Sequence, residues 1–261
     1  MKVGIVGYGY VGQGMRKVFP DAVLFDPYNR KATASKEDIN DCDLAVVCVP
    51  TNELPDGDAD LSIIEEVIGW IEADYIHIKS AIPPGTTDRL IEETGKKISV
   101  SPEYMGEGNY FTPPWKYPDP KDTLSHGFMV IGGTSENAQP VADAFIARMG
   151  PHTRIRIVPA VDAELTKYAE NTWGATKVIF AHLLRDVVEA TPGATWQNVR
   201  EGWLDDPRVE PMHTAVFGAQ RGFGGKCFPK DLSAFLRHCD KVGVEHKLLK
   251  AVKEQNKKYV G

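Results

Sequence analysis

The sequence predicts an α/β protein in which a doubly wound parallel sheet is followed by an all-α domain with a long central helix. Three observations carry this expectation. Over residues 1–160, short apolar runs rich in β-branched residues alternate with amphipathic segments. A glycine turn, GYGYVG, follows the first of those runs directly. A helical pattern then continues unbroken from Asp162 to Ala190.

The first strand is KVGIV at 2–6, and GYGYVG at 7–12 opens a helix running to about Phe19. AVLFD, ending in Asp26, is the second strand. LAVVCV (44–49), YIHIK (75–79), KISVS (97–101), FMVIGG (128–133) and TRIRIV (153–158) follow as further strands. Between them DLSIIEEVIGWIE (60–72), TTDRLIEETG (86–95) and SENAQPVADAFIARMG (135–150) have the spacing of amphipathic helices. Strands separated by helices of this length need crossover connections, hence a mostly parallel sheet. NYFTPPWKYPDPK, at 109–121, reads as a Pro- and aromatic-rich loop.

Each glycine of the turn has a separate task in holding a dinucleotide. Gly7 makes the tight turn, Gly9 lets the backbone approach a pyrophosphate, and Gly12 allows close packing of helix on strand. The helix N-terminus brings roughly half a positive charge to the phosphates. Asp26 ends the next strand 19 residues after Gly7, placed to accept hydrogen bonds from the adenosine ribose and to repel a 2′-phosphate. Residues 1–160 are therefore expected to form a Rossmann-like domain that takes NAD rather than NADP. Arg30, four residues further on, is the one feature that points the other way.

Residues 161–261 form the expected helical domain. Its first helix, DAELTKYAENTWGATKVIFAHLLRDVVEA, has 29 residues and spans roughly 43 Å at about 1.5 Å per residue. That is longer than one small domain covers, so the 162–190 helix is the expected interface of a homodimer. Lys167 and Asn171 lie four residues apart on it and project from one face. Gly174, near the same face, leaves room for another backbone to approach. PKDLSAFLRHCDKVG and HKLLKAVKEQNKKYV supply two more helices. Before them comes GFGGKCFPKD (222–231), where Cys227 sits in a glycine-rich turn among Lys226, Lys230 and Asp231. The lysines favour the thiolate and the glycines leave space for a substrate, which makes Cys227 a candidate nucleophile.

Composition narrows the field further. A hydrophobic content of 42% with 25% charged residues is ordinary for a globular protein. A net charge of −6 without a basic stripe argues against a nucleic-acid partner. No apolar run approaches the length of a membrane span. MKVGIVGYG enters a strand directly, with no signal-peptide pattern, so the expected location is cytoplasmic. The cysteines at 42, 48, 227 and 239 form no CxxC, and no Cys/His spacing suits a metal. Cys48, inside LAVVCV, is expected to be a buried space-filler.

Taken in order, the motifs resemble those of the nucleotide-sugar 6-dehydrogenases, the group that oxidises UDP-glucose, UDP-N-acetylmannosamine and GDP-mannose. The resemblance rests on GYGYVG, VPT (49–51) with DADLS (58–62), KSAIPPGTT (79–87), SPEYMGEG (101–108), ELTKYAEN (164–171), DPR (206–208) and GFGGKCFPKD. It implies oxidation of a C6 alcohol to a carboxylate with two NAD reduced per sugar. Cys227 would attack the intermediate aldehyde, and the resulting thiohemiacetal would be oxidised to a thioester that water hydrolyses. Lys167 and Asn171 would stabilise the oxyanion, Asp231 would position the lysine and the water, and Glu103 would move a proton during hydrolysis. NAD would lie against Gly7, Gly9, Tyr10, Val11, Gly12, Asp26, Pro50, Thr51, Ser80, Glu107 and Lys230. Sugar contacts would come from Tyr104, Met105, Gly106, Phe223 and Gly224, with Arg208 reaching into the partner subunit's site.

The pattern departs from the family at several points. Ala81 stands where KSTVPPG supplies a threonine hydroxyl for the hydrolytic water, and SPEYMGEG replaces NPEFLAEG. A third, nucleotide-binding domain usually follows the last helix, and this chain is expected to be a short form without it. Two other readings are a two-electron dehydrogenase of the β-hydroxyacid type, which needs no cysteine nucleophile, and a catalytically weak NAD-binding partner subunit.

Overall fold

The computed structural model describes residues 1–106, 122–218 and 221–260. The chain divides into two compact units, and the boundary falls between Lys167 and Tyr168.

In the first unit the chain alternates strand and helix. The order is β1 (Val3–Val6), α1 (Tyr10–Val18), β2 (Val23–Phe25), α2 (Lys36–Asn40), β3 (Leu44–Val47), α3 (Ser62–Trp70), β4 (Tyr75–Ile78), α4 (Thr86–Thr94) and β5 (Ile98–Val100), then β6 (Phe128–Gly132), α5 (Ser135–Met149) and β7 (Arg154–Val158). The seven strands form one sheet in the order β2-β1-β3-β4-β5-β6-β7. β1 to β5 run parallel, and β6 and β7 are parallel to each other. Between the two blocks β5 meets β6 antiparallel, through the single pair Val100 and Gly132.

Both faces of the sheet are covered, which is why its strands read as continuous apolar runs rather than alternating ones. Leu44 and Val46 of β3 point to one side, where Met15 and Val18 of α1 and Val141 and Phe145 of α5 cover them. Ala45 and Val47 point to the other, against Ile64 and Ile68 of α3 and Leu90 of α4. α2 is absent from the sequence reading because it has only five residues, but a capping box holds it. Ser35 Oγ accepts from Asp38 N at 3.2 Å, and Asp38 Oδ2 accepts from Ser35 N at 2.8 Å.

α6 (Ala160–Glu189) is a single 30-residue helix that runs through the unit boundary. The second unit adds α7 (Trp196–Leu204), α8 (Phe228–Lys241) and α9 (Lys247–Val260). α7 falls in a stretch to which the sequence analysis assigns no element. Ala175 and Ile179 of α6, Leu232 and Leu236 of α8 and Val252 of α9 form this unit's core with Phe223. Trp173, Phe180, Leu183 and Val187 remain exposed on α6.

Candidate active site

Of the expected cofactor residues, those from Gly7 to Ser80 follow the carboxyl ends of parallel strands, the edge at which doubly wound sheets bind ligands, whereas Lys230 lies in α8 of the second unit. After β1, Gly7 has φ +90° and a Cβ there would come within 2.7 Å of the Cys48 carbonyl oxygen. A Cβ on Gly12 would lie 2.0 Å from the Gly7 carbonyl oxygen, so α1 rests directly on the turn. Gly9 differs from both: a Cβ there meets nothing within 4 Å. The turn is thus closed on its packed side and open where a pyrophosphate would lie. Tyr10 and Val11 form the first turn of α1, which opens without a side-chain cap.

Asp26 follows β2 and accepts from Tyr8 N at 2.8 Å and Tyr28 N at 2.9 Å, so it fixes the glycine turn from the next strand. An open cavity of about 370 Å³ adjoins it, lined by Phe25, Asp26, Tyr28, Asn29, Arg30 and Thr33 among others. The open Gly9 and this acid-edged cavity fit a dinucleotide. Pro50 is exposed, whereas the hydroxyls of Thr51 and Ser80 stitch strand ends together. Thr51 Oγ1 donates to the Ala81 carbonyl at 2.7 Å and Ser80 Oγ to the Val49 carbonyl at 2.6 Å. Glu107 lies outside the described residues.

After β5 the SPEYMG segment is held at several points. Glu103 is buried; Lys79 Nζ stands 3.3 Å from its Oε2, and Met105 N donates to its Oε1 at 2.7 Å. Lys79 Nζ also donates to the Pro102 carbonyl at 2.9 Å. Lys167 Nζ donates to the Glu103 carbonyl oxygen and lies 5.9 Å from the Tyr104 ring centroid. Met105 packs its sulfur on Gly14, and Tyr10 Oη donates to the Gly106 carbonyl at 2.5 Å. Cys48 is buried beside this group; burial pushes its thiol up, and the charge of Glu103 acts in the same direction.

The second unit carries the other expected residues. Asp231, 1% exposed, accepts from Asn171 Nδ2 and from Lys230 Nζ, each at 2.5 Å. Asp231 therefore orients Asn171, and Lys230 serves as its counter-charge. Cys227 is half-buried at the N-cap of α8, and its carbonyl accepts from Asp231 N at 2.9 Å. The positive end of the α8 dipole faces that position and favours negative charge there. Phe223 is buried in the core, and its backbone N and O are both taken by Asn256, at 2.7 and 2.9 Å. Gly222 N donates to His182 Nε2 at 2.9 Å. A Cβ on Gly224 meets nothing within 4 Å. Arg208 is exposed and forks onto Asp206 two residues earlier.

Some contributors are not evident from the sequence. Asn256 and His182 brace the cysteine turn from α9 and α6. Gly174 makes room not for a backbone but for the Phe228 ring, whose Cζ would stand 2.6 Å from a Cβ there. His213, with φ +65°, faces the same ring at 5.2 Å, and burial lowers its pKa to about 4. Glu164, the first residue of ELTKYAEN, caps the start of α4. Its Oε2 accepts from Gly85 N at 2.6 Å, and its Oε1 from Thr87 N at 2.8 Å and Thr87 Oγ1 at 2.6 Å. Among the described residues, no helix is long and apolar enough to cross a membrane, and no three His, Cys, Asp or Glu side chains cluster to hold a metal.

A glycine turn left open at its middle residue, on the carboxyl edge of parallel strands, marks a dinucleotide-binding protein of the Rossmann class. Comparison with known families narrows that class. Residues 21–148 match the NAD-binding domain of the UDP-glucose/GDP-mannose dehydrogenase family and residues 161–258 its central domain, and the chain belongs to this family. The UDP-glucose 6-dehydrogenase of Rickettsia bellii is 29% identical over 232 residues, which are 85% of this chain and 50% of that protein. The Bacillus subtilis enzyme of the same description is 30% identical over 230 residues, 83% of this chain and 46% of that one. The chain thus spans about half the length of these curated relatives. A UDP-glucose dehydrogenase structure from Pyrobaculum islandicum superposes with a TM-score of 0.78 at 24% identity, covering 98% of this chain and 68% of that one. That likeness extends to the fold.

Proposed function

We propose that the protein oxidises the C6 hydroxyl of a nucleotide sugar of the UDP-glucose type to a carboxylate, reducing two NAD for each sugar. The observation that carries this reading is the setting of Cys227: a glycine turn, a helix N-terminus, and, in the same unit, the buried Asn171–Asp231 pair with Lys230 as its counter-charge. A simple two-electron dehydrogenase has no use for a thiol so placed.

NAD held at the glycine turn supplies the hydride acceptor for each oxidation. Cys227 attacks the aldehyde, forming a carbon–sulfur bond, and the thiohemiacetal is oxidised to a thioester on that sulfur. Lys167 and Asn171 meet the developing oxyanion by charge and hydrogen bond, contributions of about 3–4 kcal/mol each when preorganised. Asp231 holds Asn171 in orientation. In the hydrolytic step Glu103 takes a proton from water, the water oxygen bonds to the acyl carbon, and the electron pair of the broken C–S bond leaves with sulfur. The chemistry needs a reduced thiol, which favours a cytoplasmic location.

The exposed residues Trp173, Phe180 and Val187 recur every seven positions on α6, with Leu183 between them. A stripe of this spacing suits a second copy of the chain, and the proposed assembly is a homodimer through α6. Light scattering should give twice the chain mass, falling to one chain in Phe180→Lys; a monomeric wild type overturns the assembly.

The activity is tested by incubating the protein with NAD and UDP-glucose, UDP-N-acetylmannosamine or GDP-mannose, and counting NADH per sugar consumed. Two NADH supports the four-electron reaction. One supports a two-electron dehydrogenase, and none with any of the three sugars overturns both.

A further inference from the structure

Ser101 directly follows β5, and its hydroxyl is in an unusual state. The residue is 1% exposed, yet its Oγ has no hydrogen-bond partner among the described residues. Buried hydroxyls are nearly always satisfied, by protein or by an ordered water, because an orphan forfeits its solvation without return. Ser101 also lines a small cavity together with Ser80, Ala81, Ala163, Glu164 and Lys167. Its volume is about 10 Å³. That is about the least room a single water occupies and too little for anything larger. Most of the lining is apolar, Ile82, Val100 and Pro102 included, but it still offers a water its partners: the Ser101 hydroxyl, the Lys167 ammonium and Ser80 Oγ, which donates to the Val49 carbonyl and retains acceptor capacity. The Glu164 oxygens accept from Gly85 and Thr87, and neither accepts from Ser101 Oγ.

We infer that this cavity is a built site for one buried water that links the Ser101 hydroxyl to the Lys167 ammonium. Ser101 is then a positioning residue. Through the water it fixes the direction of Lys167, whose ammonium also donates to the Glu103 carbonyl. The function assigned to Ser101 rests on the reading of Lys167 given above, whereas the water site itself does not.

Ser101→Ala separates the possibilities because it removes one oxygen and adds no bulk. A high-resolution crystal structure should show one water in the cavity of the wild type and of Ser101→Thr, and none in Ser101→Ala. The melting temperature should fall in Ser101→Ala, since a satisfied hydroxyl is lost; in a dry cavity the same change removes an orphan and raises it. With UDP-glucose as first substrate, kcat should drop about tenfold in Ser101→Ala with KM within twofold, and Ser101→Thr should recover most of it. A dry wild-type cavity or a raised melting temperature overturns the site. A bound water with unchanged kcat overturns the positioning role alone. A wild type inactive on all three sugars defeats the Lys167 reading while crystal and melting data still judge the water.

Discussion

Asn171 donates its amide to Asp231 across 2.5 Å, and the two side chains are 4% and 1% exposed. Sixty residues separate them in the chain, so neither has this geometry from local structure. Asn171→Asp would put two carboxylates within hydrogen-bonding distance in a dry setting, where both cannot ionise. The expected cost near neutral pH is about 3–5 kcal/mol, as for a buried charge left uncompensated. Part of it should return on acidification to pH 5, when one carboxyl protonates. Urea midpoints at the two pH values check this, and equal losses at both would argue against a shared proton.

Cys227→Ser should abolish complete turnover, by at least about 10³-fold, because an alkoxide at this position is far harder to form than a thiolate. NAD affinity should stay within about twofold, since the glycine turn and Asp26 belong to the other unit and the substitution leaves Lys230 in place. Steady-state NADH release beside a binding titration gives both numbers. Normal turnover in the variant would remove the thioester from the mechanism.

The glycines of the first turn should separate under substitution. Gly9→Ala adds a methyl into open space and should change stability by less than about 0.5 kcal/mol, while NAD binding weakens tenfold or more as the phosphate cradle fills. Gly12→Ala drives its methyl onto the Gly7 carbonyl oxygen and should cost about 3 kcal/mol or more. Thermal melts with and without NAD distinguish the two effects.

Glu164 offers a pH test. Burial pushes its carboxyl above the ordinary 4.5, against the pull of hydrogen bonds from Thr87 and Gly85. The folded protein therefore holds this proton more tightly than the unfolded chain does. The contribution to stability is greatest below pH 4.5, declines as pH rises toward the raised folded value, and is flat beyond. Glu164→Gln should flatten that decline, and Glu164→Ala should cost about 2–3 kcal/mol by leaving the α4 amides without acceptors. A series of urea titrations between pH 4 and 7.5 measures both.

The seven strands and the larger helices are legible in the sequence because burial on both faces writes each strand as an apolar run, and the glycine turn adds a directional marker. Strand direction is not written in this way: FMVIGG reads alike whether it runs with β5 or against it. α2 is too short for periodicity to show, and only the SKED capping pattern marks it. Within the site, Cys227, Asn171 and Asp231 are visible as motif residues, but their partners are not. Asn256 and His182 reach the cysteine turn from 33 and 40 residues away, and nothing local distinguishes them from ordinary helix residues. Glu164 shows the opposite failure, a motif residue whose place is explained by the helix it caps.

The single ladder pair between Val100 and Gly132 has a consequence for how the first unit responds to temperature. β6 and β7 share five registered pairs, and with α5 they form a piece whose backbone bonds are nearly all internal. What fastens this piece to the five-stranded block is mainly burial of Val141, Phe145, Met129 and Ile131. Such fastening weakens on cooling, because apolar burial near room temperature is driven by entropy. The sheet therefore has a cold-sensitive seam: chilled toward 0 °C, amide protons of the β6–α5–β7 piece should exchange in step with one another and ahead of those in β1, β3 and β4.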